Sequence, residues 1–123
     1  MILLDTSVLI EFLSDGGRAD DVEELIVNAK ATISAISAYE LLAGVRSVAH
    51  IEQRNELITL IHVVPVDRAI AGRAAELYTT LRASGVTIDN EDIMIAATAL
   101  HLSLPVLTTN IRHFEAIPGL SLA

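Results

Sequence analysis

The stretch from residue 90 to 102, NEDIMIAATALHL, constrains the fold more than any other part of the chain. Read as a helix, it has Ile93, Met94, Ile95, Ala96, Ala97, Ala99, Leu100 and Leu102 spread around its whole circumference. A helix without a polar face must be walled in by protein on most sides. Its only carboxylates, Glu91 and Asp92, fall in the opening turn, where unpaired backbone N–H groups and the helix dipole favour negative charge. Such a rod is either a well-capped core helix or the floor of a site with acids at its mouth.

The rest of the chain supplies the walls. Residues 2–4 read as a short strand ended by Asp5, with Thr6 or Ser7 capping a helix over 8–13. Asp15-Gly16-Gly17 is a break. Val22, Leu25, Ile26 and Ala29 then recur at amphipathic helical spacing, with the acids outward. Residues 32–36 read as a second strand, and Ser37 opens a helix that ends near Gly44. A helix over 48–61 and a β-branched strand over 62–66 follow. Asp67 caps the longest helix, whose stripe is Ile70, Ala74, Leu77, Tyr78 and Leu81 and whose stop is Gly85. Beyond the apolar helix come a strand over 104–108, a turn over 110–114 and a last strand over 120–122. Strands alternating with helices, with no linker or repeat, imply one domain with a parallel sheet covered on both faces.

In such sheets the ligand crevice lies beyond the carboxyl ends of the strands. Asp5, Glu40, Asp92 and the run Thr108-Thr109-Asn110 all fall on that edge. Each acid also has a plain structural reading. Ser37 and Glu40 have capping-box spacing, Asp89 and Asp92 have the same spacing, and Asp5 could simply end a strand. Those readings do not require three carboxylates from distant segments to converge. Two carboxylates about 5 Å apart at an effective dielectric near 20 repel by roughly 3 kcal/mol. Three therefore call for a cation or a raised pKa. Oxygen ligands with no nearby His or Cys select Mg²⁺ or Mn²⁺ over zinc, and such an ion supports water attack on a phosphodiester.

Composition narrows the alternatives. The absence of cysteine excludes a disulfide framework, a thiolate zinc site and a thiol nucleophile. No apolar run is long enough to span a membrane, and the start lacks a basic leader, so a cytoplasmic protein is expected. Sixteen acidic residues against eight basic ones, with 3% aromatics, argue against nonspecific nucleic-acid binding. An acidic chain can still act on a polyanion if metal ions neutralise its site.

The segments ILLDTSVLIEFL, SAISAYELLAGV, DIMIAATAL and VLTTNIRHF, in that order, resemble the PIN-domain ribonucleases, and among them the VapC-type toxins of toxin–antitoxin pairs. The resemblance spans nearly the whole chain. It implies a PIN-like three-layer α/β/α fold with a central parallel sheet of four to five short strands. It further implies a Mg²⁺-dependent (or Mn²⁺-dependent) endoribonuclease, a homodimer, and a cognate VapB-type antitoxin as partner. Carried over by position, Asp5, Glu40 and Asp92 match the family's catalytic acids and metal ligands. Thr6 and Ser7 match hydroxyls that support the first acid. Asn110 falls where many members have a fourth acid, which places a tightly bound second metal in question, and Asp89 or Glu91 is the nearest replacement charge.

Rival readings have less support. A phosphoacceptor receiver domain needs a lysine after a late strand, and Lys30 comes too early; a dehalogenase-like phosphatase needs D-x-D, but Asp5 is followed by Thr6 and Ser7. An RNA-processing nuclease without an antitoxin and a non-catalytic PIN-like binding module are the remaining alternatives. His113 reads as a solvated side chain before Phe114, and Arg18, Arg46 and Arg112 as surface charges.

Overall fold

The computed structural model describes residues 1–123. Four short parallel strands, β1 (Ile2–Leu4), β2 (Ala31–Ser34), β3 (His62–Val64) and β4 (Val106–Leu107), form one sheet in the order β3-β2-β1-β4. The first strand is therefore central, between the second and the last. A parallel bridge from Val106 to Leu122 adds the rudiment of a fifth strand beyond β4.

Strand alternation sends neighbouring side chains to opposite faces, and each face has its own core. Leu3 and Val106 point into one, with Ile70, Leu77, Ile93, Ile95 and Phe114. Leu4 and Leu107 point into the other, with Val8, Leu9, Val22, Ile33, Leu41 and Leu57. The first face is covered by α5 (Arg68–Ala83), α6 (Asn90–Leu102) and α7 (Ile111–Glu115). The second is covered by α1 (Thr6–Leu13), α2 (Ala19–Val27), α3 (Ala35–Leu42) and α4 (Val48–Thr59). Three α/β/α layers result, as the alternation of elements implies.

The apolar helix α6 spans the predicted residues. Ile93, Ile95, Ala96, Ala97, Thr98 and Ala99 are buried, and α5 makes its largest helix–helix interface. Small residues on α6 let its neighbours approach closely. Met94 and Leu100 are only half-buried, and Leu102 is exposed at the end of the rod. The Asp67 side chain accepts from Ile70 N–H at 2.9 Å, as read from the sequence. At the other end of α5, Gly85 has φ +74, Val86 N–H donates to Leu81 C=O and Gly85 N–H to Arg82 C=O, a complete Schellman stop. Of the α5 stripe, Tyr78 alone is exposed.

Two caps differ from the sequence reading. Helix α3 begins at Ala35, and its cap is Ser34, which accepts from Ile36 N–H, so Ser37 lies inside the helix and is fully buried. Both serines suit a cap, but β2 ends sooner than its apolar run suggests. Helix α1 begins directly at Thr6, with Asp5 in the cap position and its side chain engaged elsewhere.

Candidate active site

Asp5 leaves the central strand at its carboxyl end and is 2% exposed. Its Oδ2 accepts from Ser7 Oγ at 2.7 Å and from Thr108 Oγ1 at 2.8 Å. The directions of these bonds are determined. Ser7 Oγ accepts from Thr109 N–H, and Thr108 Oγ1 accepts from Asn110 N–H. Amides only donate, so the hydroxyl protons are free to face Asp5. The end of β4 thus clamps the end of β1, and Asp5 Oδ1 is left without a protein partner.

Glu40 reaches the same edge from the second turn of α3. Its Oε1 lies 2.8 Å from Thr6 Oγ1, which also lies 2.9 Å from Ser37 Oγ. The capping-box expectation is therefore corrected. Glu40 sits too far into α3 to reach back to the cap, and it bonds instead across to α1. Of the two hydroxyls expected on the first acid, only Ser7 therefore serves Asp5, and Thr6 serves Glu40. Asp92, in the first turn of α6, accepts at Oδ2 from His113 Nδ1 of α7 at 3.2 Å. Asp89 holds the cap position of α6 without a side-chain cap bond, so the second capping-box reading also falls.

The three acids feel one another. Burial lifts the Glu40 carboxyl above the usual range; the Thr6 hydroxyl pulls it back, and the charges of Asp92, Asp5 and Glu91 push it further up. Burial likewise lifts Asp92, aided by the charge of Asp5 and, more weakly, of Asp89, while the His113 hydrogen bond and charge oppose the shift. Asp89 and Glu91 are both exposed at the rim, where they add to this negative field. Asn110 is exposed; its backbone N–H serves the clamp, and its side chain makes no cap bond to α7.

One pattern runs through the site. In each acid one oxygen is tied by a side-chain donor from another position, and the other oxygen is free. No three His, Asp or Glu side chains close into a ready-made metal cage. The donors nonetheless suit a hard divalent cation, being carboxylates with hydroxyl support and no thiolate. The mutual repulsion is what such a cation would relieve.

The sequence leaves two roles unassigned. Thr108 falls on the expected edge, but only the pairing of β4 with β1 turns its hydroxyl to Asp5. His113, read as solvated, has half its side chain exposed, yet its ring is docked on Asp92.

Comparison with known proteins agrees with this architecture. The PIN domain family model matches residues 2–120. Ribonuclease VapC19 from Mycobacterium tuberculosis is 36% identical, with 98% of this chain and 97% of that protein covered. Ribonuclease VapC1 from Methanocaldococcus jannaschii is 34% identical over 94% of this chain and 80% of its own length. Among solved structures, VapBC2 from Rickettsia felis bound to a DNA fragment from their promoter superposes with a TM-score of 0.86 at 25% identity, covering 100% of this chain and 98% of that one. FitAcB from Neisseria gonorrhoeae superposes at 0.82 with 27% identity over 100% and 97%. With the strand order, the acid edge and these matches taken together, the chain belongs to the PIN-domain family, in its VapC ribonuclease branch.

Proposed function

We propose that this protein is a divalent-metal-dependent endoribonuclease that hydrolyses RNA phosphodiester bonds, and the toxin of a VapBC-type pair. The observation that carries the reading is the shared edge at which Asp5, Glu40 and Asp92 each keep one oxygen engaged and one free. Asp5 and Asp92 would hold Mg²⁺ or Mn²⁺, with Glu40 acting through a water. When bound, that cation supplies charge neutralisation and polarisation of the scissile phosphate.

The chain's own residues do the rest. Asp5, locked by Ser7 and Thr108, presents Oδ1 in a fixed direction. Glu40 has a carboxyl lifted above the usual range and Oε1 held by Thr6, so its Oε2 is suited to take the proton of the attacking water. Water oxygen bonds to phosphorus, the P–O3′ bond breaks, and O3′ takes a proton from solvent. The products are a 5′-phosphate and a 3′-hydroxyl.

The partner reading is supported by the neighbouring structures, which are toxin–antitoxin complexes. A chain of net charge −8 is electrostatically complementary to a basic antitoxin segment. The family also implies a homodimer, which light scattering on the purified protein would establish. No helix of the chain is long and apolar enough to cross a membrane.

The test is incubation with total RNA, with and without Mg²⁺, followed by mapping of the cut ends. Cleavage is expected to stop in EDTA and to return with Mg²⁺ or Mn²⁺. Asp5→Asn keeps the side-chain shape, removes the charge and is expected to abolish cutting. Cleavage by Asp5→Asn at the wild-type rate would refute the assignment.

A further inference from the structure

We infer that His113 is a positioning residue for Asp92, holding that carboxylate so that its second oxygen is presented to a divalent cation. The inference rests on the metal-site reading of the acid edge, and it adds a residue outside the acidic set. Asp5 has Ser7 and Thr108 on Oδ2, and Glu40 has Thr6 on Oε1. Asp92 has no hydroxyl; its one side-chain donor is the His113 ring, 3.2 Å from Oδ2. An ionised carboxylate only accepts, so Nδ1 carries the hydrogen and Nε2 is left to the solvent side. His113 therefore does for the third acid what the hydroxyls do for the other two.

The local fold makes this contact a built one. Helix α7 is a single short turn, and its next residue, Phe114, is fully buried in the core shared with Ile93 and Ile95 of α6. With Phe114 fixed inward, His113 is turned toward the opening turn of α6. The ring is half-exposed, whereas the Asp92 side chain is 15% exposed. Substitution at His113 therefore removes an orienting bond without opening the core.

Amide substitutions separate the two ring nitrogens. His113→Asn places an amide nitrogen where Nδ1 stands, and His113→Gln places one where Nε2 stands. Mn²⁺ affinity of the full chain, measured by calorimetric titration, is expected to fall about tenfold in His113→Ala, as for loss of a group that orients a metal ligand. It is expected to return to within about twofold in His113→Asn but not in His113→Gln. Unchanged affinity in His113→Ala, or equal recovery by Gln and Asn, would overturn the proposal. The readout does not depend on RNA. If the wild-type protein fails to cut RNA while the affinities follow this order, the nuclease reading falls and the role of His113 stands.

Discussion

The Thr108 hydroxyl donates its one proton to a buried carboxylate oxygen and accepts from the backbone at the same time, so it ties the end of β4 to Asp5 from both sides. Thr108→Val keeps the shape and removes both bonds. A hydrogen bond to a charged group contributes about 1.5–3 kcal/mol, and the lower figure applies here because Ser7 remains on Asp5. Urea denaturation is expected to show that loss, together with weaker RNA cleavage. Asp92 behaves oppositely. Burial and the charge of Asp5 make the folded chain hold the Asp92 proton more tightly than the unfolded chain does. Between the ordinary carboxylate range and that raised value the folded state binds more protons, so stability falls as pH rises. Asp92→Asn is therefore expected to raise the melting temperature at pH 7 in EDTA by a few degrees, roughly 1 kcal/mol or less after solvent screening. The gain should fade as pH falls through the ordinary carboxylate range, below which Asp92 is protonated in both states. A melting series across pH checks it. At this scale the acids were legible from their places at element ends. Of their donors, Ser7 was legible as local support for Asp5, whereas Thr6, Thr108 and His113 acquire their roles from tertiary contacts with segments far along the chain.

Among the elements, the long helices were the most readable, because several turns of apolar spacing leave little ambiguity. Both ends of α5 follow from single residues, Asp67 and Gly85. Gly85→Ala forces a Cβ into a left-handed conformation, with open space around it, so strain rather than collision sets the cost. A loss of about 1 kcal/mol is expected by thermal or urea melting, with cleavage unchanged. The short elements were harder. Strand β4 is two residues long, and its residue Val106 carries both the β1 pairing and the Leu122 bridge, information that a local window does not contain. The start of α3 was displaced by three residues because Ser34 and Ser37 have equal claim to the cap and only burial separates them. Helix α7 read as a turn, and its importance lies in what Phe114 anchors. Phe114→Leu should leave the fold standing at a cost of about 1–2 kcal/mol. It should also weaken Mn²⁺ binding in calorimetry, since His113 loses its fixed bearing on α6.

For the molecule as a whole, the layer order was legible because strands and helices alternate without interruption, while strand order was not, since it depends on which crossovers the packing permits. The same holds for charge. An excess of acids looked unfavourable for a nucleic-acid enzyme, yet Asp5, Glu40, Asp89, Glu91 and Asp92 gather their repulsion at one edge, where a divalent ion would relieve it. Mg²⁺ at about ten times its dissociation constant should stabilise the wild-type protein by roughly 1.4 kcal/mol. Differential scanning calorimetry should show that increment and its loss in Asp5→Asn. The clamp has a consequence for synthesis. Asp5 is made first, and the hydroxyl that completes its support follows 103 residues later, on the strand that closes the sheet beside β1. A chain still emerging from the ribosome holds its acids but cannot assemble a working centre until nearly all of it has been translated. Prematurely terminated copies would be harmless to the RNA of the cell that makes them.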